Sequence, residues 1–320
     1  MSFHSEPISK GTVVRVGRYF QKGSIRPFVA SASQGIFDWL IFDRSETPSK
    51  IRSAVKRSIH SGLDSDFCAA ASILETFLEG SPSFLVDVQD HRLPADLLQS
   101  PLPSPVQPRT FICVGLNYSD HARESNMELP SRPLLFAKSA NAVAGHNSEV
   151  SIPPSCDQPD FEAELAVVIG KRCRHVREHD AMNYVLGYTC ANDISARNFQ
   201  FADGQWYRGK SCDGFGPLGP WIVTKTEIPD HRNLNIRGRL NGEVMQNSST
   251  RNLIFAVPEL IEFISSSITL EPGDVIATGT PPGVGFARKP PIYLKDGDTF
   301  EVEIEGIGNL SNTIRGGNNG

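Results

Sequence analysis

No stretch of this 320-residue chain is apolar for long enough to span a bilayer; runs such as Leu165 to Ile169 end after a few residues. Basic clusters are missing too. Charged residues make up 21% of the chain and the net charge is -5, so neither nucleic acid nor an anionic lipid surface is an expected partner. Six cysteines, at 68, 113, 156, 173, 190 and 212, form no CxxC pair and lack the density of a stapled secreted domain. Reduced, mostly buried thiols follow. Met1 to Gly11 is polar, has no apolar centre of the secretory type, and reads as a loose tail. These absences predict a soluble, cytosolic (cytoplasmic) protein, long enough for one large domain or two smaller ones, each with a full core.

What is present centres on Asp160-Phe-Glu-Ala-Glu-Leu-Ala-Val-Val-Ile-Gly170. In a strand, residues two apart project from one face, so Glu162 and Glu164 point the same way. Like charges side by side on a sheet repel unless something positive lies between them. A bound cation is one answer; a strand end whose acids face water is the other. Downstream, Tyr188-Thr-Cys-Ala-Asn-Asp-Ile-Ser-Ala-Arg197 reads as a strand that breaks at Asp193. Glu162, Glu164 and Asp193 make an all-oxygen set suited to a hard divalent ion. No His or Cys stands beside them to attract zinc, so Mg²⁺ or Mn²⁺ is expected, with Ca²⁺ allowed by ligand type.

The rest of the chain falls into segments. Thr12 to Phe20, Ile25 to Ala30 and Gly35 to Phe42 predict short strands, and Asp66 to Glu79 a helix capped by Asp64 or Ser65 and ended by Gly80. Gln99 to Arg109 carries four prolines and reads as a stiff connector. The expected organisation is a small N-terminal domain over 1–100, a linker over 101–109, a catalytic domain over 110–316 and a tail at 317–320. Thr110 to Leu116 is a strand candidate leading to Asn117-Tyr-Ser-Asp-His-Ala-Arg-Glu124. Asp120 caps a short helix there, and His121 and Glu124, three apart, share a face. That pair is either a general base with its orienting carboxylate or a surface ion pair. Lys138 ends the apolar strand Leu134 to Lys138 and either enters a pocket or snorkels to water.

Phe201 to Pro220 has the glycine, proline and aromatic content of a long shaped loop, with Lys210 and Asp213 as its notable polar members. Its glycines lack the spacing and following helix of a phosphate cradle. Glu178 to Tyr184 reads as a short helix; beyond the loop the sequence predicts an amphipathic helix over Asn252 to Ser266 and strands at Trp221 to Thr224, Asn235 to Leu240, Asp274 to Ala277 and Thr299 to Ile304. Asn241-Gly242 predicts a hairpin turn into Glu243 to Gln246. Thr278-Gly-Thr-Pro-Pro-Gly-Val-Gly285 is a tight turn whose amides and Thr280 hydroxyl suit an anionic oxygen, or simply connect two elements. The closing Gly-Gly-Asn-Asn-Gly reads as disordered.

In order, Asn117-Tyr118, His121, Glu124, Lys138, Glu162-x-Glu164, Asn192-Asp193-Ile-Ser-Ala-Arg197, Lys210-Ser-x-Asp213 and Thr278-Gly-Thr-Pro281 resemble the fumarylacetoacetate hydrolase superfamily, in its acylpyruvase and oxaloacetate-decarboxylase-like branch. The resemblance covers about 109–316. It implies a strand-rich α+β fold with a mixed β-roll core, a homodimer, and Mg²⁺ or Mn²⁺ on Glu162, Glu164 and Asp193. It also implies that His121 and Glu124, on a lid-like helix, activate water or move a proton. Lys210 would join them as a catalytic residue, while Lys138, Arg197, Gln200 and Thr280 would line the substrate site. Two positions depart from the family pattern: Asn198 stands where Asp is common, and Ser139 where Pro often follows the lysine. The implied activity is metal-dependent hydrolysis of a carbon–carbon bond in a β-diketo acid. The alternatives are decarboxylation of a 2-oxo diacid such as oxaloacetate, or keto–enol isomerisation, and a metal or 2-oxo-acid binding protein is the non-catalytic reading.

Overall fold

Strand Ala163–Ile169 is buried at every position, and its side chains alternate between two cores. Leu165, Val167 and Ile169 enter one, while Ala166 and Val168 enter the other. A strand covered on both faces needs no polar alternation, which explains the unbroken apolar run. The computed structural model describes residues 14–316 except 22, 32–34, 45–46, 62, 81–83, 85–91 and 125–127. The tail read at Met1 to Gly11 and the end at 317–320 lie outside the described residues.

The central strand belongs to a ten-stranded sheet. From one edge its path runs Gly35–Asp38, Ser24–Ser31, Arg15–Gln21, Gly216–Thr224, Val185–Asn192, Ala163–Ile169, Val275–Ala277, Phe111–Gly115 and Leu134–Lys138, with Val143–Ala144 beside Gly216–Thr224. Pairing is antiparallel except for Val275–Ala277 with Phe111–Gly115 and for the short Val143–Ala144. One face packs on a five-stranded sheet, in the order Glu243–Ser249, Asn235–Leu240, Thr299–Ile304, Gly308–Gly316 and Glu149–Ile152. Ile236, Phe300, Val302 and Leu310 supply its side of that core, and Phe161 stacks on Phe300 at 4.6 Å. The other face lies under helices Ser49–Ser61 and Asp64–Gly80 through Val55, Phe67 and Leu74. The result is a mixed, strand-rich α+β fold.

The described residues between 14 and 100 share both sheet and core with the segment 110–316. Arg15 pairs with Val223 and Val16 with Ile222, so the N-terminal strands extend the central sheet. In the proline-rich stretch Leu102 and Val106 are buried, and the Leu102 amide donates to the His146 carbonyl at 2.8 Å.

Several elements differ from expectation for identifiable reasons. The stretch 201–220 is no open loop: it holds the end of helix Arg197–Ala202, helix Tyr207–Lys210 and the start of Gly216–Thr224. Its glycines permit close approach; a Cβ on Gly216 would sit 2.9 Å from the Phe111 ring. The C-terminal helix is Val257–Ser265, shorter than 252–266, because Pro258 fits only its first turn. Glu178–Tyr184 is a 3-10 helix. Asn241 and Gly242 make the expected two-residue hairpin, with φ of 51° and 82°.

Candidate active site

Antiparallel register assembles the acids. Asn192 pairs with Ala163 and Ala191 with Glu164, so the end of one strand lies beside the beginning of the other. Glu162 sits just before Ala163–Ile169 rather than inside it. Its amide donates to Asn192 Oδ1 at 3.1 Å, and its carbonyl accepts from the Asp193 amide at 2.9 Å. One oxygen each from Glu162, Glu164 and Asp193 then lies within 4.8 Å of the others, and all three residues are buried. The alternative of a solvated strand end is thereby ruled out.

Three cations answer these acids. Lys210 Nζ donates to Glu162 Oε2 and Asp193 Oδ2, both at 2.7 Å. Arg197 Nη2 donates to Glu162 Oε1 at 2.5 Å. Lys138 Nζ lies 2.6 Å from Asp193 Oδ1, and its side chain is 0% exposed, so it does not snorkel. Burial opposes the Glu162 charge, but Lys210 and then Arg197 outweigh it and hold that carboxyl well below the ordinary range. Burial likewise opposes the Lys210 charge, and Asp193 and Glu162 reverse the sign and raise its pKa. Glu164 is the exception: burial, then Asp193 and Glu162, push its carboxyl well above the usual value.

The same residues fit a divalent cation. Lys138 directs its protons at the carbonyls of Ile194, Lys210 and Phe215, at 3.0, 2.6 and 2.7 Å. Asp193 Oδ1 therefore accepts no hydrogen bond among the described residues although it is fully buried. Glu164 Oε2 takes only a neutral donor, the Gly279 amide at 2.9 Å. A buried acceptor without a proton and a carboxylate without a counter-charge are what a hard cation removes. The acid trio can chelate a divalent metal.

The turn expected to bind an anionic oxygen does bind three, all from this chain. Gly279 N faces Glu164, Gly283 N reaches Glu124 Oε2 at 3.2 Å, and Gly285 N reaches Asp160 Oδ1 at 2.7 Å. It thus links the acid cluster to helix Ser119–Glu124. On that helix His121 Nδ1 lies 3.4 Å from Glu124 Oε2, with side chains 12% and 40% exposed. Asp120 Oδ1 accepts from the His121 amide, while Asp120 Oδ2 accepts from Ser248 Oγ at 2.5 Å and Asn252 Nδ2 at 3.0 Å. Asp120 is the second residue of the helix rather than its cap, and it anchors the helix to the five-stranded sheet.

Several residues expected to line the substrate site have partners within the chain. The Lys138 ammonium is saturated by protein acceptors. Arg197 uses Nε and Nη2 on Asp160 and Nη1 on Gln200 Oε1, besides its bond to Glu162. Thr280 Oγ1 donates to the Ala163 carbonyl and accepts from Gln246 Nε2. Buried polar groups need partners, and here the nearest partners belong to the chain itself. Of the two departures from the family pattern, Asn198 bonds the Ser155 carbonyl and Ser139 N bonds Ser211 Oγ. Sequence reading missed two supporting residues. Gln246 clamps Ala163 N to the Thr280 turn, and no local pattern marks it. Asp160 was visible as the first member of a period-two acid series, 160, 162 and 164.

A family profile described as fumarylacetoacetate (FAA) hydrolase, C-terminal, matches residues 110–315. The chain belongs to the fumarylacetoacetate hydrolase family. Oxaloacetate tautomerase FAHD2A, mitochondrial, of Bos taurus is 48% identical over 210 residues, covering 65% of this chain and 67% of that protein. Among solved structures, a fumarylacetoacetate hydrolase from Exiguobacterium antarcticum superposes with a TM-score of 0.73 at 32% identity, over 94% of this chain and 99% of the other. A 2-hydroxyhepta-2,4-diene-1,7-dioate isomerase from Mycobacterium marinum gives 0.60 at 40% identity, over 68% and 79%. The expectation of a cytosolic protein is overturned. The bovine relative and its counterparts in Rattus norvegicus, Xenopus laevis and Homo sapiens are all mitochondrial by name. Mitochondrial segments are amphipathic and rich in Arg and Ser, so they need no apolar centre. Among the described residues no helix is long and apolar enough to cross a membrane.

Proposed function

We propose that this protein is a divalent-metal-dependent keto–enol tautomerase of a 2-oxo diacid, oxaloacetate being the first candidate. One observation carries the reading: a chelating acid trio accompanies a partly buried imidazole, His121, whose Nδ1 is turned to Glu124. Tautomerisation needs one proton carrier and no nucleophile, whereas hydrolysis also needs an activated water. The tautomerase relatives support this alternative over hydrolysis of a β-diketo acid.

Glu162, Glu164 and Asp193 would hold Mg²⁺ or Mn²⁺, which when bound would supply the Lewis acidity that makes a C3 proton removable. The chain does the rest. Glu124, fixed by the Gly283 amide, holds the His121 Nδ1 proton and leaves Nε2 as the basic atom. Nε2 takes the C3 proton and returns it to the C2 oxygen, so atoms and charge balance within one molecule of substrate. Lys210 holds Glu162 and Asp193 in place and keeps the Glu162 carboxyl ionised. Arg197 and Lys138 serve the same carboxylates, and Gln200 offers the substrate the amide nitrogen not used on Arg197.

The test follows enol oxaloacetate spectroscopically, with Mg²⁺, Mn²⁺ or a chelator and with Glu164→Ala as control, while pyruvate and carbon dioxide are assayed in parallel. Metal-dependent loss of the enol signal without either product is expected. Stoichiometric carbon dioxide release would replace tautomerase by decarboxylase. Release of an acid fragment from an acylpyruvate, with no effect on the enol, would return the reading to hydrolysis.

A further inference from the structure

Asp160 is 0% exposed and has no part in the reading above. Its carboxylate collects five donors. Oδ1 accepts from Gly285 N at 2.7 Å and Phe161 N at 2.9 Å. Oδ2 accepts from Arg197 Nε at 2.9 Å, Arg197 Nη2 at 2.8 Å and Phe286 N at 3.2 Å. The approach is close enough that a Cβ on Gly285 would lie 2.5 Å from Asp160 Oδ1 and 1.9 Å from the Ile292 carbonyl. Arg197 is also covered by the Phe286 ring, 4.4 Å from the guanidinium carbon. One guanidinium therefore spans a carboxylate outside the chelating trio and Glu162 within it.

Charge counting gives this span a purpose. With all groups ionised, the trio faces three buried cations, Lys138, Lys210 and Arg197, so by itself it would offer a divalent ion no excess negative charge. Asp160 supplies the fourth carboxylate, and it binds Arg197 rather than the ion's position. We propose that Asp160 is a positioning residue of the metal centre. It holds one edge of Arg197 and offsets its charge, so that Glu162 keeps both its orientation and its negative charge for a divalent cation. The inference rests on the metal-dependent reading of the site. It goes beyond it by placing control of the ion in a residue that does not touch it.

The test titrates the full chain with Mn²⁺ and reads the electron paramagnetic resonance of free ion, so no turnover is needed. Asp160→Asn keeps the shape but removes the charge and turns an amide donor toward other donors. Mn²⁺ affinity is expected to fall by about 10–100-fold, as for other groups that orient a metal ligand, with native near-UV circular dichroism retained. Arg197→Lys cannot fork across two carboxylates and should lower affinity similarly; it carries the test by itself if Asp160→Asn does not fold. The double variant should bind no more weakly than the weaker single one, because both act through one contact. Unchanged affinity in either folded variant, or losses that simply add, would overturn the proposal while leaving the metal reading intact. A wild-type chain that binds no Mn²⁺ would remove the metal reading, and this one with it, before any variant is made.

Discussion

Two regions a few residues apart in function treat charge in opposite ways. Around Glu162, Glu164 and Asp193 the charged side chains are buried, and all but Glu164 are tied to groups of opposite sign. On helix Ser119–Glu124, His121 and Glu124 sit at the rim, joined by one long contact of 3.4 Å. A buried network has fixed protonation and geometry, because changing either leaves a charge unpaired in low dielectric. The chain thus separates the acid trio that can chelate a metal from the His121–Glu124 pair.

Breaking each region in turn should produce different failures. His121→Ala is expected to lower tautomerase turnover by about 10²–10⁴-fold while leaving Mn²⁺ affinity and the denaturation midpoint near wild type. A parallel loss of metal binding would show that the two regions are not separable. Lys138→Met should act on stability instead, costing about 3–5 kcal/mol by chemical denaturation, because Asp193 and three carbonyls lose their buried cation. A cost below about 1 kcal/mol would place this ion pair with surface ones.

A histidine outside both regions sharpens the contrast. His146 is buried, and that burial, outweighing the Leu98 carbonyl and the charge of Glu301, lowers its pKa from the ordinary 6.5. Below that value the unfolded chain takes up a proton that the folded chain refuses. Stability should therefore fall as pH drops through 6.5, by up to about 1.4 kcal/mol per pH unit from this residue. His231, also lowered by burial, contributes with the same sign. His146→Gln should flatten the pH dependence between 7 and 5.5, and an unchanged slope would assign it elsewhere. The smallest effect is expected at Arg172, half of an exposed pair with Glu271. Arg172→Ala should change stability by no more than about 1 kcal/mol.

Much of the architecture was legible because its periods are local. Strands Leu134–Lys138, Asn235–Leu240 and Thr299–Ile304 lie where alternation and turn residues put them. Helix Ser49–Ser61 carried a readable signal in Ile51, Ala54, Val55 and Ser58, all buried on one face, but its polar composition hid it. Strand Glu149–Ile152 is too short to stand out beside its turn residues and forms on the edge of a sheet built by distant segments. The roles of Lys138 and Arg197 were not legible. A lysine closing an apolar strand looks the same whether its ammonium meets water or four buried acceptors.

By itself the sequence determined which residues could hold a hard cation: three carboxylates at strand ends, two of them two residues apart. It also determined that His121 and Glu124 share a helical face. Those facts depend only on backbone period and side-chain chemistry. Tertiary structure decided the charge balance, because Asp160, Lys138, Arg197 and Lys210 come from four different elements that meet only when the sheet forms. Which acid is answered by a cation and which is left for a metal ion is set by distances across the fold, and no local pattern encodes them.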